Sequence, residues 1–307
     1  MVSAAAAQRR RARVRLEFDC DCAPSARGHA IIAQPALRSL KWSRTRLSEL
    51  ERAHRQRSIG KVESEATFTV QNATLLFDPP ATSRAIDGSL TTALDGERVT
   101  LLAERALYWP RERTVFVADV HLGKAAAFRA GGVPLPRGST AADLARLTRV
   151  LERTGASRII VLGDFIHAKA GRVPALAEAF ARWRIQHAAI DVMLVRGNHD
   201  ARAGDPPAAW NVGCVDEPFA LPPFLACHRI TQPASGYALC GHVHPGVRVH
   251  GSGEQSARLP CFVLGARRAI LPAFGRFTGL ADVLPAPRER IVVIAGRELF
   301  ALPSLTP

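Results

Sequence analysis

Five short stretches of this chain concentrate imidazoles and carboxylates. Asp119 and His121 lie in ADVH, Asp164 in LGDF, Asn198, His199 and Asp200 in RGNHD, His228 in ACHR, and His242 and His244 in LCGHVHPG. Imidazole nitrogens mixed with carboxylate and amide oxygens are donors for divalent transition metals. One ion takes four to six ligands, so two Asp, one Asn and four His around one spot, with one carboxylate shared, fill two ions. Such a set suits Mn²⁺, Fe, Zn²⁺ or Ni²⁺ and argues against Ca²⁺ or Mg²⁺ alone. No thiolate takes part, which weakens the case for a structural zinc. Only two ligands are anionic, so two divalent ions leave a surplus of about +2 that attracts a phosphate. A hydroxide between them is a nucleophile at neutral pH. His242 and His244 are two residues apart. In extended chain such residues share a face, so both rings are expected to point at one thing.

Each cluster follows an apolar run: TVFVA (114–118), RIIVL (158–162), DVMLV (191–195), FLAC (224–227) and YALC (237–240). Further runs are CFVL (261–264) and IVVI (291–294). Two amphipathic patterns separate the first three. Leu144, Leu147 and Leu151 share one helical face, with Ser139 or Thr140 expected to cap the start and Gly155 to end it. Leu176, Phe180 and Trp183 share another, with Pro174 in the first turn. Apolar strands alternating with helices predict βαβαβ and a parallel sheet, whose carboxyl ends meet along one ligand-binding edge. The later runs lack helical spacers and predict a second, more antiparallel layer, giving a two-sheet α/β sandwich. Gly163, Gly197 and Gly241 each precede a cluster, where bare backbone lets segments crowd together.

The chain has 307 residues and a formal net charge of +14, unevenly spread. Residues 1–63 hold 14 Lys/Arg against 6 Asp/Glu, so more than half the excess lies there. That segment lacks sustained periodicity. It is expected to be a basic, disordered extension, with 64–307 forming the folded domain. No apolar stretch follows the first arginines as in a secretory signal, and none approaches a membrane span. Cys20 and Cys22 have no second pair to complete a zinc site, and Cys214, Cys227, Cys240 and Cys261 have no disulfide spacing. They are expected as free core thiols in a reducing cytoplasm, with Cys227 facing away from the site.

D-x-H, GD, GNHD, a lone His and GH-x-H, in this order, resemble the calcineurin-like metallophosphoesterase superfamily. ADVHLGKAAAFR and LPAFGRFTG, within residues 98–303, are similar to the bacterial ligase-associated DNA damage response endonucleases. The resemblance implies an α/β/β/α metallophosphoesterase sandwich and a metal-dependent phosphodiesterase, with in-line attack on phosphorus by a metal-bridging hydroxide. It implies that Asp119, His121 and His244 hold one ion, that Asn198, His228 and His242 hold the other, and that Asp164 bridges them. His199 would stabilise or protonate the leaving oxygen. Two divalent ions, manganese first and iron, zinc or nickel as alternatives, are the expected cofactors. DNA is the expected substrate, with a DNA ligase, a helicase and an exonuclease-like protein of one repair system as partners and no membrane. Arg229 and Ile230 replace the Glu-Pro that usually follows the lone His, which bears on substrate contacts there.

Other residues stay open between roles. Asp200 would orient His199 or cap a turn. Lys124, Arg129 and Arg196 would approach the phosphate or sit on a solvated surface. His167 would support the site or belong to a loop, and His187 and His250 would lie on exposed faces. Segments 126–137 and 266–280 would form a lid or a DNA rim, with Arg129, Arg137, Arg229, Arg267, Arg268 and Arg276 as candidate contacts. A small-molecule phosphoesterase of the same fold is the alternative. A non-catalytic scaffold is disfavoured, because the ligand set and His199 are intact.

Overall fold

The computed structural model describes residues 13–16, 67–70, 73–76, 88–250, 256–283 and 285–302. Of the basic segment 1–63, only Arg13–Leu16 is among them, and the expectation of disorder otherwise lies outside the described residues. Arg13–Leu16 forms β1, parallel to β2 (Thr67–Val70), which pairs antiparallel with β3 (Ala73–Leu76).

Strands β4 (Ser89–Leu94), β5 (Glu97–Leu102) and β6 (Ala106–Trp109) form an antiparallel meander. Asp95 and Gly96, both with positive φ (49° and 82°), make the two-residue turn between β4 and β5. The meander leads into β7 (Thr114–Ala118), which pairs in parallel with β8 (Arg158–Leu162), then β9 (Asp191–Val195), then β10 (Gly213–Val215). The three apolar runs thus become strands with the bounds the sequence marks. Helices α1 (Lys124–Ala130) and α2 (Ser139–Thr154) lie between β7 and β8. Helix α3 (Pro174–Gln186) lies between β8 and β9, and α4 (Asn198–Ala203) follows β9.

The start of α2 differs from expectation: Gly138, at φ 97°, is the capping residue, and no side chain caps it. Its end is as expected, with Gly155 at φ 61° donating its N–H to Leu151.

The second sheet contains β11 (Phe219–Leu221), β12 (Phe224–Ala226), β13 (Tyr237–Cys240), β14 (Pro245–His250), β15 (Ser256–Leu264) and β16 (Arg268–Ile270), ordered 11-12-13-16-15-14. β17 (Ala281–Asp282) pairs with β14, and β18 (Arg290–Ala295) joins β15 to β19 (Glu298–Ala301). This layer is mixed: β12, β13 and β16 run parallel, with β11 antiparallel on one side and antiparallel pairing from β15 on the other. The parallel step from β12 to β13 is made by a ten-residue loop without a helix, which the spacing of apolar runs did not reveal.

Alternate residues of β7–β9 serve two cores. Val115, Val117, Ile159, Val161, Val192 and Leu194 pack with Leu144, Leu147, Val150, Leu176, Phe180 and Trp183 of the helices. Phe116, Ala118, Ile160, Leu162 and Val195 face Phe224, Tyr237, Leu239, Phe262 and Leu271 of the other sheet. Burial on both faces explains why these strands read as continuous apolar runs. Each fully buried Phe or Leu contributes about 1.5–3 kcal/mol. A third cluster, including Val247, Cys261, Val263, Ile291 and Val293, lies in the second sheet, and no described helix residue belongs to it. Cys227, Cys240 and Cys261 are buried free thiols, and Cys214 is half-buried.

Candidate metal centre

The polar clusters sit where β7, β8, β9, β12 and β13 end. Asp119 follows β7, Asp164 follows β8, Asn198 opens α4 after β9, His228 follows β12, and His242 and His244 follow β13. The loop after β8 is pinned by its own sequence. Phe165 and Ile166, next to Asp164, are buried, and Phe165 meets Phe180 and Trp210 edge-on. Leu122 bridges to Ile166, and the N–H of His121 donates to the carbonyl of Asp164 at 2.8 Å.

Crowding here requires glycine. A Cβ on Gly163 (φ 77°) would lie 2.0 Å from Nδ1 of His228, and one on Gly197 would lie 2.4 Å from Oδ1 of Asp164. Asp119, His121, Asp164, His242 and His244 all have φ between 50° and 71°, left-handed conformations that side chains adopt only under constraint.

Donor atoms fall into adjacent sets, each within 4.8 Å internally: Asp119, His121 and His244, then Asp164, His228 and His242, and a third in which His121 meets His167 and His199. In the first, Nε2 of His244 is 3.4 Å from Nε2 of His121 and 3.4 Å from Oδ1 of Asp119. In the second, Nε2 of His228 is 3.0 Å from Nδ1 of His242, 2.9 Å from Oδ1 of Asn198 and 3.5 Å from Oδ1 of Asp164. Oδ2 of Asp164 faces the other set, 3.8 Å from Nε2 of His121. His242 and His244 therefore serve different sets. Both residues are left-handed (φ 71° and 54°), so the extended-strand reading that aimed both rings at one point is corrected.

The floor is buried and the rim is open. Asp119, His121, Asp164 and His228 are buried, Asn198, His199 and His244 are half-buried, and His242 is exposed. Burial, then the charge of Lys124 and the neighbouring imidazoles, holds His121 far below its ordinary value, at about 2. Burial and His228 lower His242 as well. These rings are neutral donors at physiological pH.

The donor chemistry fits divalent ions. Nδ1 of His228 lies 3.1 Å from the carbonyl of Leu162, which only accepts, so Nδ1 carries the proton. Nε2 then turns a lone pair toward the oxygens of Asn198 and Asp164. Facing acceptors call for a cation, and ligands around an ion with bonds of about 2.1 Å sit about 3 Å apart.

Three features escaped the sequence reading or were left open by it. Asp200 is buried and accepts from Phe165 and Ile166 through Oδ1 (3.0 and 3.2 Å) and from Gly197 through Oδ2 (2.9 Å). It ties the Asp164 loop to the Asn198 loop and makes no hydrogen bond to the His199 ring. His167 sits beside the site: its Nδ1 is 3.2 Å from Nδ1 of His121, and its carbonyl accepts from Nδ1 of His199 at 2.7 Å. Residues 275–278 form one wall, with Gly275 so close to Val120 that a Cβ would lie 2.5 Å from its carbonyl. This wall, Lys124 and the start of α2 line a small cavity beside His121.

Of the residues left open between the phosphate and the surface, Arg196 pairs with surface carboxylates. It forms a two-pronged pair with Asp205 (2.8 Å twice) and reaches Asp216 at 2.9 Å. Arg129 binds the carbonyls of Leu135 and Pro136. His187 is half-buried rather than exposed and meets Oγ1 of Thr148 at 2.9 Å. The His250 side chain lies outside the described residues. No described helix is long and apolar enough to cross a membrane.

Two packed sheets carrying Asp, Asn and His at one strand-end edge, in adjacent donor sets with Asp164 lying between them, define a metallophosphoesterase. The chain belongs to the calcineurin-like phosphoesterase family, whose model matches residues 112–252 and so includes every donor named above. Among solved structures it is similar to the nuclease MPE of Pseudomonas putida, at 41% identity over 70% of this chain and 100% of that chain, with a TM-score of 0.60. The phosphoesterase Yfce of E. coli matches at 14% identity over 62% of this chain and 97% of that chain; at a TM-score of 0.31 it supports no further argument. Comparison with curated proteins returned no match.

Proposed function

We propose that this phosphoesterase is a DNA endonuclease acting in DNA repair. The observation that carries the reading is the pair of donor sets joined through the two oxygens of Asp164. Asp119, His121 and His244 would hold one divalent ion and Asn198, His228 and His242 the other, with manganese the proposed metal. Bound ions would acidify a water to supply the nucleophile and offset charge on the phosphodiester.

His199 has its Nδ1–H committed to the carbonyl of His167, so Nε2 is the atom that meets substrate. In the imidazolium form His199 would carry a second proton at Nε2, the one it would pass to the leaving oxygen. His121, with Nε2 toward the donor set, donates its Nδ1–H to His167, which fixes the ring and its tautomer.

The choice of DNA is supported by the likeness to a nuclease over that protein's whole length, and by the basic balance of the chain. The repair setting, the cytoplasm, and a ligase, helicase and exonuclease-like protein as partners rest on the sequence resemblance alone. The test is an assay of plasmid DNA, single strands and a small phosphodiester, with Mn²⁺ and after chelation. Metal-dependent cleavage of DNA supports the reading. Cleavage of the small ester without any DNA cleavage returns the protein to the small-molecule phosphoesterases.

A further inference from the structure

Phe128 is one of five large apolar side chains left exposed among the described residues, at 40%. A single exposed ring needs no explanation. Its alignment does. The Phe128 ring lies 13° from parallel to His167, with centroids 5.9 Å apart, and His167 lies 23° from parallel to His199 at 4.8 Å. Three rings from three segments, α1, the loop after β8 and α4, make one stack that begins in solvent and ends at the imidazole meeting the substrate.

The first two segments are locked together. Gly123 lies so close to Gly171 that a Cβ would be 2.4 Å from its carbonyl oxygen, and the N–H of His167 donates to Leu122 at 3.1 Å. The same helix carries Lys124, whose ammonium lies in the field of Asp164 and Asp119. A cation and an outward aromatic face on one short helix are the two parts of a site for a nucleotide strand.

Resting on the DNA reading above, we propose that Phe128 is a stacking platform for the nucleobase adjoining the phosphodiester being cut. A base inside a duplex is already stacked on both sides, so the platform serves an unpaired base. Phe128 thus acts as a specificity residue, by placing the strand and not by touching the reacting atoms.

The test uses the full chain with Mn²⁺ and short single strands holding one phosphodiester among phosphorothioates. An abasic residue is placed on either side of the cleavable bond. In the wild type, removing the base on one side should raise KM about tenfold, the scale of one lost base–ring stack. In Phe128→Ala the base-bearing strand should already show that KM, and the abasic strand should be cut no worse. Phe128→Trp should restore the preference for the base, which separates a lost platform from a damaged fold. The proposal is overturned if Phe128→Ala keeps the wild-type preference. It is also overturned if the variant slows both strands by the same factor, since Phe128 would then only support His167. If the wild type cuts no strand, the nuclease reading falls and takes the platform with it.

Discussion

His228 turns Nε2 toward Oδ1 of Asn198 at 2.9 Å while Nδ1 is held by the carbonyl of Leu162. With Nδ1 protonated, Nε2 and the Asn198 oxygen face each other as two lone-pair donors, the arrangement that suits a cation between them. Asp164 faces this set with one oxygen and the neighbouring set with the other. Asp164→Asn should therefore abolish phosphodiester hydrolysis and lower bound metal, with the fold kept. His199→Ala should lower DNA turnover about 10²–10⁴-fold, the usual worth of a proton donor, and leave metal content near that of the wild type. Metal analysis of the two purified variants decides it: equal metal loss in both would show that the division of roles is wrong.

Asp200 is a positioning residue. Its two oxygens accept three backbone N–H groups from the segments carrying Asp164 and Asn198. In Asp200→Asn, one oxygen becomes an NH₂ that confronts a buried N–H. The expected cost is about 1–3 kcal/mol of stability, with metal affinity weakened because the two loops are no longer held in register. Denaturant unfolding and a metal titration read the two effects. Wild-type values in both would remove Asp200 from the site's support.

Gly163 and Gly155 both have positive φ, but only Gly163 is crowded, by the His228 ring. Gly155→Ala should cost about 1–2 kcal/mol, the strain of a left-handed alanine. Gly163→Ala bears the same strain and must also displace His228, so about 1–3 kcal/mol more is expected. Its second ion should bind weakly or not at all. If the two variants unfold together and bind metal alike, the contact with His228 is not what demands glycine.

His167 is held below its ordinary value, at about 4, by burial and by Lys124 and His199, and His121 lies lower still. Above about pH 6.5 both rings are neutral whether folded or unfolded. As the pH falls below that, the unfolded chain binds protons that the folded chain refuses, and stability drops toward pH 4. Chelated protein should therefore unfold at lower denaturant at pH 5 than at pH 7.5, and His167→Gln should show a smaller drop. A midpoint independent of pH over this window contradicts the burial of neutral imidazoles.

The legible part of this molecule was the part whose residues repeat a physical rule. Strands buried on both faces are uninterrupted apolar runs, so β7, β8 and β9 were readable with their bounds. Each donor follows such a run, so the strand-end edge was readable too. The Asp95-Gly96 turn carries its own hairpin signal, an Asp-Gly pair with both φ values positive. What was not legible depends on backbone conformation. His242 and His244 look like strand neighbours, and only the family resemblance assigned them to different ions; left-handed φ values are what send them to different donor sets. Asp200 does cap the turn, its Oδ2 accepting from Gly197, but its Oδ1 partners Phe165 and Ile166 are 35 and 34 residues away, and spacing carries no trace of them.

Arg229 stands directly after His228, with its side chain 66% exposed and 3.7 Å from Glu217. Oε2 of Glu217 accepts the N–H groups of both His228 and Arg229 (2.7 and 2.8 Å), so this loop is held from the backbone and the guanidinium remains open to solvent. A strand of phosphates crossing the site would meet it, and neutralising each phosphate releases counterions. DNA binding should therefore weaken steeply with salt, while hydrolysis of a small phosphodiester changes little. Arg229→Ala should weaken DNA binding, reduce the logarithmic salt slope by about one, and leave bound metal unchanged. Affinities and rates across a salt series for both substrates provide the check. Equal, shallow slopes would mean that no extended anion lies across the site, and the small-molecule phosphoesterase would displace the nuclease.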